Sequence, residues 1–212
     1  MREALFIGGI LASVTHDMQN VMAIIKESGA LADDILTING PPRLRHGDKL
    51  TTALVNIQEQ VKRGRDLMLM LNGFAHAATD FPECGDLVRF TRQIATLDQR
   101  MARLKECSLV TDLDVPPVLV LGNALTIMQS VHVGLSAMLD ICQANDVIRI
   151  GIVPAGEDGR ISLRISAENS KKQPDIQTMA PLMTELGGEC RSGEGVVELR
   201  YSLAPAQGTA KP

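Results

Sequence analysis

The chain has 212 residues, and its 21 lysines and arginines against 25 aspartates and glutamates give a net charge of −4. This charge argues against a nucleic-acid-binding protein, which usually carries a basic face. One Tyr, four Phe and no Trp leave few rings for stacking bases or for an aromatic belt at a membrane.

The remaining composition favours a soluble cytoplasmic protein without a membrane partner. The longest apolar stretch near the N-terminus, residues 4–14, is about half as long as a membrane span requires. The four cysteines lie far apart and form no Cys-x-x-Cys pair, which is typical of buried thiols in a reducing compartment rather than of a metal or redox site.

The first 80 residues carry two long heptad patterns separated by a break at Asn39-Gly40-Pro41-Pro42, where a helix cannot continue. The spacing predicts an antiparallel helical hairpin over residues 1–80. The first stripe, with steps of three and four, contains Ile7, Leu11, Val14, Met18, Val21, Ile25, Ser28, Ala32 and Ile35. The second contains Leu50, Leu54, Ile57, Val61, Gly64, Met68, Leu71 and Ala75.

A second apolar row, formed by Leu67, Met70 and Phe74, lies beside the stripe on the second helix. Two helices cannot bury both rows, so the pattern favours a homodimer in which two hairpins form a four-helix bundle. The alternative is that this row packs on the rest of the same chain. Nearby, Lys62-Arg63-Gly64-Arg65 is typical of a solvated helix face.

His16 is the candidate nucleophile of the hairpin. At about 100° per residue, it lies roughly 160–180° from the stripe through Met18 and Ile25. An exposed imidazole on a rigid helix can attack a phosphoryl group near neutral pH, because much of it is unprotonated. Asp17 can orient the ring or accept its proton, and Asn20, one turn along, can hold a water or a phosphoryl oxygen. These residues alone leave open an ordinary exposed histidine.

The second part of the chain predicts an α/β sandwich over residues 85–204, so the fold class of the whole chain is α+β. We expect an antiparallel or mixed sheet with helices on one face, and a disordered tail over residues 205–212. His132, on the middle helix, is expected to face the core or the sheet. The predicted helices are 86–105, 125–143 and 176–186, and the predicted strands are 107–113, 118–121, 147–153, 160–167, 189–192 and 196–203.

Four segments resemble histidine kinases in the same order. Thr15-His16-Asp17-Met18-Gln19-Asn20 resembles the H-box, in which a phosphoacceptor His precedes an acidic residue and an Asn or Thr lies four residues on. Residues 63–76 are similar to the second helix of the same dimerisation and phosphotransfer domain. Residues 122–139 resemble the helix that carries the kinase ATP-binding Asn motif, and residues 182–192 resemble the closing helix-Gly-Gly-strand of the ATPase domain.

The chain departs from this family where the kinase holds ATP. Val133 and Ala137 stand where the kinase helix carries Asn, and Ala167-Glu168-Asn169 replaces the adenine-reading Asp-x-Gly. Only residues 170–174 separate that strand from the last predicted helix, which leaves no Gly-rich lid. Mg²⁺ needs amide or carboxylate ligands, and phosphates need backbone amides. We therefore expect no cofactor bound by this chain and no ATP-dependent kinase activity.

A histidine site without an ATP site resembles the dimeric histidine phosphotransferases of the ChpT type. The resemblance implies a phosphorelay in which receiver domains of response regulators or hybrid kinases supply and accept the phosphoryl group, each with its own Mg²⁺. It makes His16 the phosphoacceptor, Asp17 its orienting or proton-accepting neighbour, and Asn20 a further polar contact. The alternatives are a receiver phosphatase in which Asn20 positions water, a non-catalytic pseudokinase adaptor and, less in keeping with these residues, an active kinase.

Overall fold

The computed structural model describes residues 2–39, 47–79, 84–155, 160–168 and 170–205. The chain forms two compact units, residues 1–73 and 74–212. The tail predicted at 205–212 lies outside the described residues, apart from residue 205.

The N-terminal unit is the predicted helical hairpin. Its helices are α1, Arg2–Asn39, and α2, Gly47–Thr79. They approach closely at Gly64, where an added Cβ would lie 3.2 Å from Val21 Cγ1. The buried stripe of α1 contains Phe6, Ile10, Val14, Asp17, Val21, Ser28, Ala32 and Ile35, and that of α2 contains Ala53, Gly64 and Leu67.

The composition of the buried stripe differs from the predicted one. Leu11 is 44% exposed, and Leu54, Val61 and Met68 are 50%, 55% and 52% exposed. Leu67, predicted to belong to a second row, is instead buried between the helices of the hairpin, at 7% exposure. The prediction was wrong at these positions because two adjacent apolar positions, such as 67 and 68, fit a heptad equally well.

The C-terminal unit contains a five-stranded mixed sheet in the order β2-β4-β5-β7-β6, with β2 and β4 parallel and the other neighbours antiparallel. A separate antiparallel pair joins β1 and β3. The strands are β1 Cys84–Asp86, β2 Ser108–Asp112, β3 Leu119–Leu121, β4 Val147–Ala155, β5 Arg160–Ala167, β6 Glu189–Gly193 and β7 Val196–Ser202. The helices are α3 Leu87–Leu97, α4 Gln99–Leu104, α5 Ala124–Ile141 and α6 Ala180–Glu185.

The predicted mixed α/β arrangement is confirmed, with three local differences. The helix predicted over 86–105 is two helices separated at Asp98, and the last helix is shorter than 176–186. Strand β1 was not predicted, because Cys84–Asp86 is too short for an alternating pattern to stand out. The Asp86 side chain accepts a hydrogen bond from the Val88 N–H and so caps α3.

Helix α5 packs against the sheet in the centre of this unit. Among the described residues it is the one helix long and apolar enough to cross a membrane, and 72% of it is buried within the protein. Gly134 allows the close approach, since an added Cβ would lie 3.0 Å from Ile165 Cδ1. Burial raises the pKa of Tyr201, whose hydroxyl shares a hydrogen bond of 2.7 Å with Ser130.

His132 links α5 to the junction of α3 and α4. Its Nδ1 lies 2.9 and 2.8 Å from the two carboxylate oxygens of Asp98, whose side chain is 4% exposed. His132 was expected to face the core or the sheet. Its ring instead forms an ion pair with Asp98, at the junction of two other helices. Burial lowers the pKa of His132, but the hydrogen bond and charge of Asp98 outweigh this, so its pKa is raised above 6.5.

We expect Asp98→Asn to destabilise the C-terminal unit in a pH-dependent manner. Because the folded-state pKa of His132 is raised, the stabilisation is complete below the unfolded-state value near 6.5 and is lost as pH rises through the folded-state pKa. A hydrogen bond to a charged group contributes about 1.5–3 kcal/mol. Urea unfolding at several pH values measures the wild-type-minus-variant difference, and a difference that grows with pH would contradict the ion pair.

Candidate phosphotransfer site

His16 lies on the outer side of α1, and its side chain is 48% exposed. Its Nδ1 is 3.2 Å from Nδ2 of Asn20, one helical turn further on. Within the described part of the chain, Nε2 of His16 makes no hydrogen bond. Asn20 thus contacts the Nδ1 nitrogen of the ring, and the Nε2 nitrogen is left for a ligand.

The contact with Asn20 couples the amide orientation to the tautomer of the ring. The Asn20 amide donates through Nδ2 to Nδ1 of His16 when the ring proton is on Nε2. After a half-turn of the amide, Oδ1 of Asn20 accepts from a protonated Nδ1, and the lone pair is then on Nε2. Asn20 can therefore serve either tautomer without moving its backbone.

Asp17 faces the interior of the hairpin rather than the solvent. Its side chain is 11% exposed, and Oδ1 lies 4.0 Å from Nδ1 of His16. This distance permits an electrostatic interaction but exceeds a hydrogen bond. In this conformation, the proton of His16 reaches Asp17 only through a small rotation of either side chain or through a water.

Arg63 of α2 completes the site and was not predicted. Its Nη2 lies 3.6 Å from Oδ2 of Asp17, and its side chain is 37% exposed. The prediction of a solvated helix face was therefore wrong for Arg63, although Arg65 is 69% exposed and pairs with its neighbour Asp66. The adjacent Gly64, where the helices approach closely, was the signal in the sequence that this side of α2 faces α1.

The side of the hairpin opposite this site is apolar and exposed. At about 100° per residue, the exposed stripes of α1 and α2 lie roughly 90–100° from their buried stripes, and the antiparallel arrangement places both on one side. His16 and Arg63 are rotated in the other direction. The exposed apolar side chains on this side, each 44–60% exposed, are Leu11, Met22, Leu36, Leu54, Val61 and Met68, whereas Leu31, 47% exposed, lies outside it.

In the C-terminal unit, the positions that correspond to the kinase nucleotide ligands carry apolar side chains. Val133 is half-buried and Ala137 is buried. After β5 the chain is held to the turn between β6 and β7, since Ala167 N–H donates to Gly195 O and Gly195 N–H donates to Lys172 O, both at 2.9 Å. Among the described residues, no group of three or more His, Cys, Asp or Glu side chains is placed to hold a metal ion.

A cavity of about 260 Å³ lies between the C-terminal end of α5 and the segment after β5. The residues that line it are Ile141, Gln143, Asp146, Ser170, Lys171 and Lys172. The Asp146 carboxylate accepts a hydrogen bond of 2.8 Å from the Gln143 N–H, so it holds the local turn. The lining supplies no Asn and no second carboxylate for a Mg²⁺-nucleotide complex.

The chain matches no protein-family model and no curated protein. Among solved structures, the catalytic domain of histidine kinase ThkA, in a nucleotide-free form, is 13% identical, with a TM-score of 0.50 over 60% of this chain and 99% of that one. Histidine kinase AdeS of Acinetobacter baumannii is 12% identical, with a TM-score of 0.48 over 90% and 98% of the two chains. Full-length ShkA in complex with AMPPNP is 15% identical, with a TM-score of 0.48 over 92% and 46%.

At these identities the likeness concerns the fold. The likeness to the ThkA domain shows that the chain contains a histidine-kinase-like ATPase fold. Together with the helical hairpin, this gives the α+β class predicted from the sequence.

Proposed function

We propose that the protein is a phosphorelay histidine phosphotransfer protein of two-component signalling, in which His16 carries the phosphoryl group between receiver-domain aspartates. The observation that carries the proposal is an exposed His16 ring, held at Nδ1 by Asn20 beside the Asp17 carboxylate. The histidine-kinase-like fold supports the same assignment.

In the proposed reaction, Nε2 of His16 attacks the phosphorus of an aspartyl phosphate on a receiver. The Nε2–P bond forms as the P–O bond to the receiver breaks, and the electron pair of the broken bond stays on the receiver carboxylate. The proton on Nδ1 passes to Asp17 or to solvent, which leaves a neutral phosphorylated ring. The reverse sequence delivers the group to a second receiver.

The chain's own residues supply position, and the receiver supplies most of the charge stabilisation. A helix that presents the ring in a fixed orientation lowers the entropic cost of an in-line attack. When the Asn20 amide is turned so that Oδ1 accepts from the Nδ1 proton, the lone pair is on Nε2, and the Asp17 carboxylate stabilises the positive charge that develops on the ring. The Mg²⁺ that neutralises the phosphoryl oxygens belongs to the receiver.

We propose that the C-terminal unit does not use ATP. The side chains at positions 133 and 137 lack the oxygen and nitrogen atoms that coordinate Mg²⁺, and the segment after β5 is hydrogen-bonded to the β6–β7 turn. The phosphoryl group carried by His16 then comes from a receiver. This unit belongs, with the hairpin, to a cytoplasmic protein that binds neither nucleic acid nor membrane.

We further propose that the chain is a homodimer. The apolar side of the hairpin is the surface that a second copy covers, which completes a four-helix bundle. Because His16 lies on the other side, both phosphoacceptors of the dimer remain open to receivers. The hairpin is the dimerisation and phosphotransfer domain of residues 1–80, and residues 85–204 form the ATPase-like domain.

The proposal is tested by incubating the chain with receiver domains labelled by radioactive acetyl phosphate and freed of excess reagent. We expect label on the chain that is stable in alkali and lost in acid, as is characteristic of phosphohistidine. Labelled ATP in place of the receiver should give none, and uptake from ATP would establish an active kinase instead.

The same assay separates the two main alternatives. Loss of label from the receiver as inorganic phosphate, with none on the chain, would establish a receiver phosphatase, particularly if Asn20→Ala stops the loss and His16→Ala does not. Receiver binding without any movement of label would establish an adaptor. Either result would overturn the phosphotransfer assignment.

A further inference from the structure

We propose that Arg63 is a positioning residue for the reaction of His16 and acts through Asp17, an inference that rests on the phosphotransfer function proposed above. The feature that points to this role is a row of three side chains across the hairpin. Oδ1 of Asp17 lies 4.0 Å from Nδ1 of His16, and Oδ2 lies 3.6 Å from Nη2 of Arg63.

The burial of Asp17 makes a partner on α2 necessary. A carboxylate whose side chain is 11% exposed has lost most of its hydration, and an opposite charge nearby compensates for this loss. Arg63 supplies that charge from the helix opposite. The carboxylate therefore lies at the helix interface with one oxygen directed to each neighbour.

The close packing of the helices fixes the position of Arg63. At the next residue, Gly64, an added Cβ would lie 3.2 Å from Val21 Cγ1 and 3.8 Å from Met18 Cε, so the two helices approach closely at this point. The backbone next to Arg63 thus lies against the part of α1 that carries Met18 and Val21, shortly after His16. A rigid donor in this position limits the rotation of the Asp17 carboxylate.

This restraint has a chemical consequence for the ring. With Oδ2 beside Arg63, the negative charge of Oδ1 stays 4.0 Å from Nδ1 of His16 and favours a proton on Nδ1, which is the tautomer whose lone pair is on Nε2. Loss of Arg63 removes the positive charge beside Oδ2 and so weakens this restraint on the carboxylate. Arg63 itself touches neither the ring nor the phosphorus in this scheme.

The test compares Arg63→Gln with Arg65→Gln, a matched control in which the replaced arginine pairs with its exposed neighbour Asp66 on the same helix. In single-turnover transfer from a labelled receiver, we expect Arg63→Gln to lower the maximal rate about tenfold, with the half-saturating receiver concentration within about twofold of wild type. Arg65→Gln should leave both values within about twofold. Arg63→Lys should recover part of the rate, because it restores the charge.

If Arg63 acts through Asp17, the losses of transfer rate caused by substituting the two residues should not add. The double variant Asp17→Asn/Arg63→Gln should be no slower than the slower single variant. Additive losses, a change confined to receiver affinity, or equal effects of the two arginine variants would each overturn the inference. If the wild type takes up label and Arg63→Gln matches it, this inference fails and the proposed function stands.

A second measurement does not depend on transfer. The ¹⁵N signals of the His16 ring report its tautomer, and we expect them to shift in Arg63→Gln and to stay unchanged in Arg65→Gln. If the wild type takes up no label, the proposed function fails, and the ring signals still decide whether Arg63 orients Asp17 toward His16. Identical ring signals in all three proteins would overturn the positioning role.

Discussion

Replacing His16 by glutamine is expected to abolish the uptake of label from a phosphorylated receiver while leaving the fold intact. The amide has no basic nitrogen, so no covalent phosphoryl intermediate forms, and the loss should be at least about 10³-fold. Because the His16 side chain is 48% exposed, the free energy of unfolding should change by no more than about 0.5 kcal/mol. Label transfer and thermal unfolding, measured on the same preparation, check both statements.

The control for this experiment is Gln19→Ala, which changes an exposed residue of α1 close to the site. Its rate of label uptake should remain within about twofold of wild type, because its side chain takes no part in the contacts of the His16 ring. Persistence of alkali-stable label in His16→Gln would place the phosphoacceptor elsewhere in the chain. Equal loss in both variants would indicate that the helix, rather than the ring, had been damaged.

How far the sequence determines the hairpin is clear from positions 67 and 68. The heptad spacing and the Asn39-Gly40-Pro41-Pro42 break correctly predicted two long helices. The spacing could not show whether Leu67 or Met68 faces α1, since adjacent positions differ by only about 100° and both are apolar. The packing of Gly64 against Val21 resolves this choice, and such a contact between distant residues is not encoded in either helix alone.

In the candidate site, too, contacts within one helix could be predicted from the sequence, whereas contacts between helices could not. The spacing of His16 and Asn20 is local, and the structure places their side chains in contact at 3.2 Å, as one turn of helix requires. The pairing of Asp17 with Arg63 depends on the relative rotation of two helices. It was missed because a short basic cluster on a helix is more often solvated. The Asp98–His132 pair was missed because it joins residues 34 positions apart, in separate helical elements.

Val61→Glu is expected to convert the proposed homodimer into a monomer. Val61 is 55% exposed in the single chain and lies at the middle of a heptad row with Leu54 and Met68. In a symmetric dimer the substitution places one carboxylate from each copy in the apolar interface. We expect a cost of about 3 kcal/mol or more, which corresponds to a dissociation constant raised at least about 100-fold. Sedimentation equilibrium measures this constant.

The matched control is Val55→Glu, which introduces the same charge at an apolar residue of α2 that is 44% exposed. At about 100° per residue, Val55 lies roughly 120° from Val61 around the helix and therefore outside the apolar side of the hairpin. We expect this variant to remain dimeric, and both variants to keep the helical content of the wild type. Equal dissociation of the two would place the interface elsewhere, and a monomeric wild type would mean that the rest of the same chain covers the row.

Because His16 lies on the other side of the hairpin, a Val61→Glu monomer also separates the two roles of this domain. If it retains uptake of label, phosphoacceptance belongs to the single hairpin and dimerisation to the surface behind it.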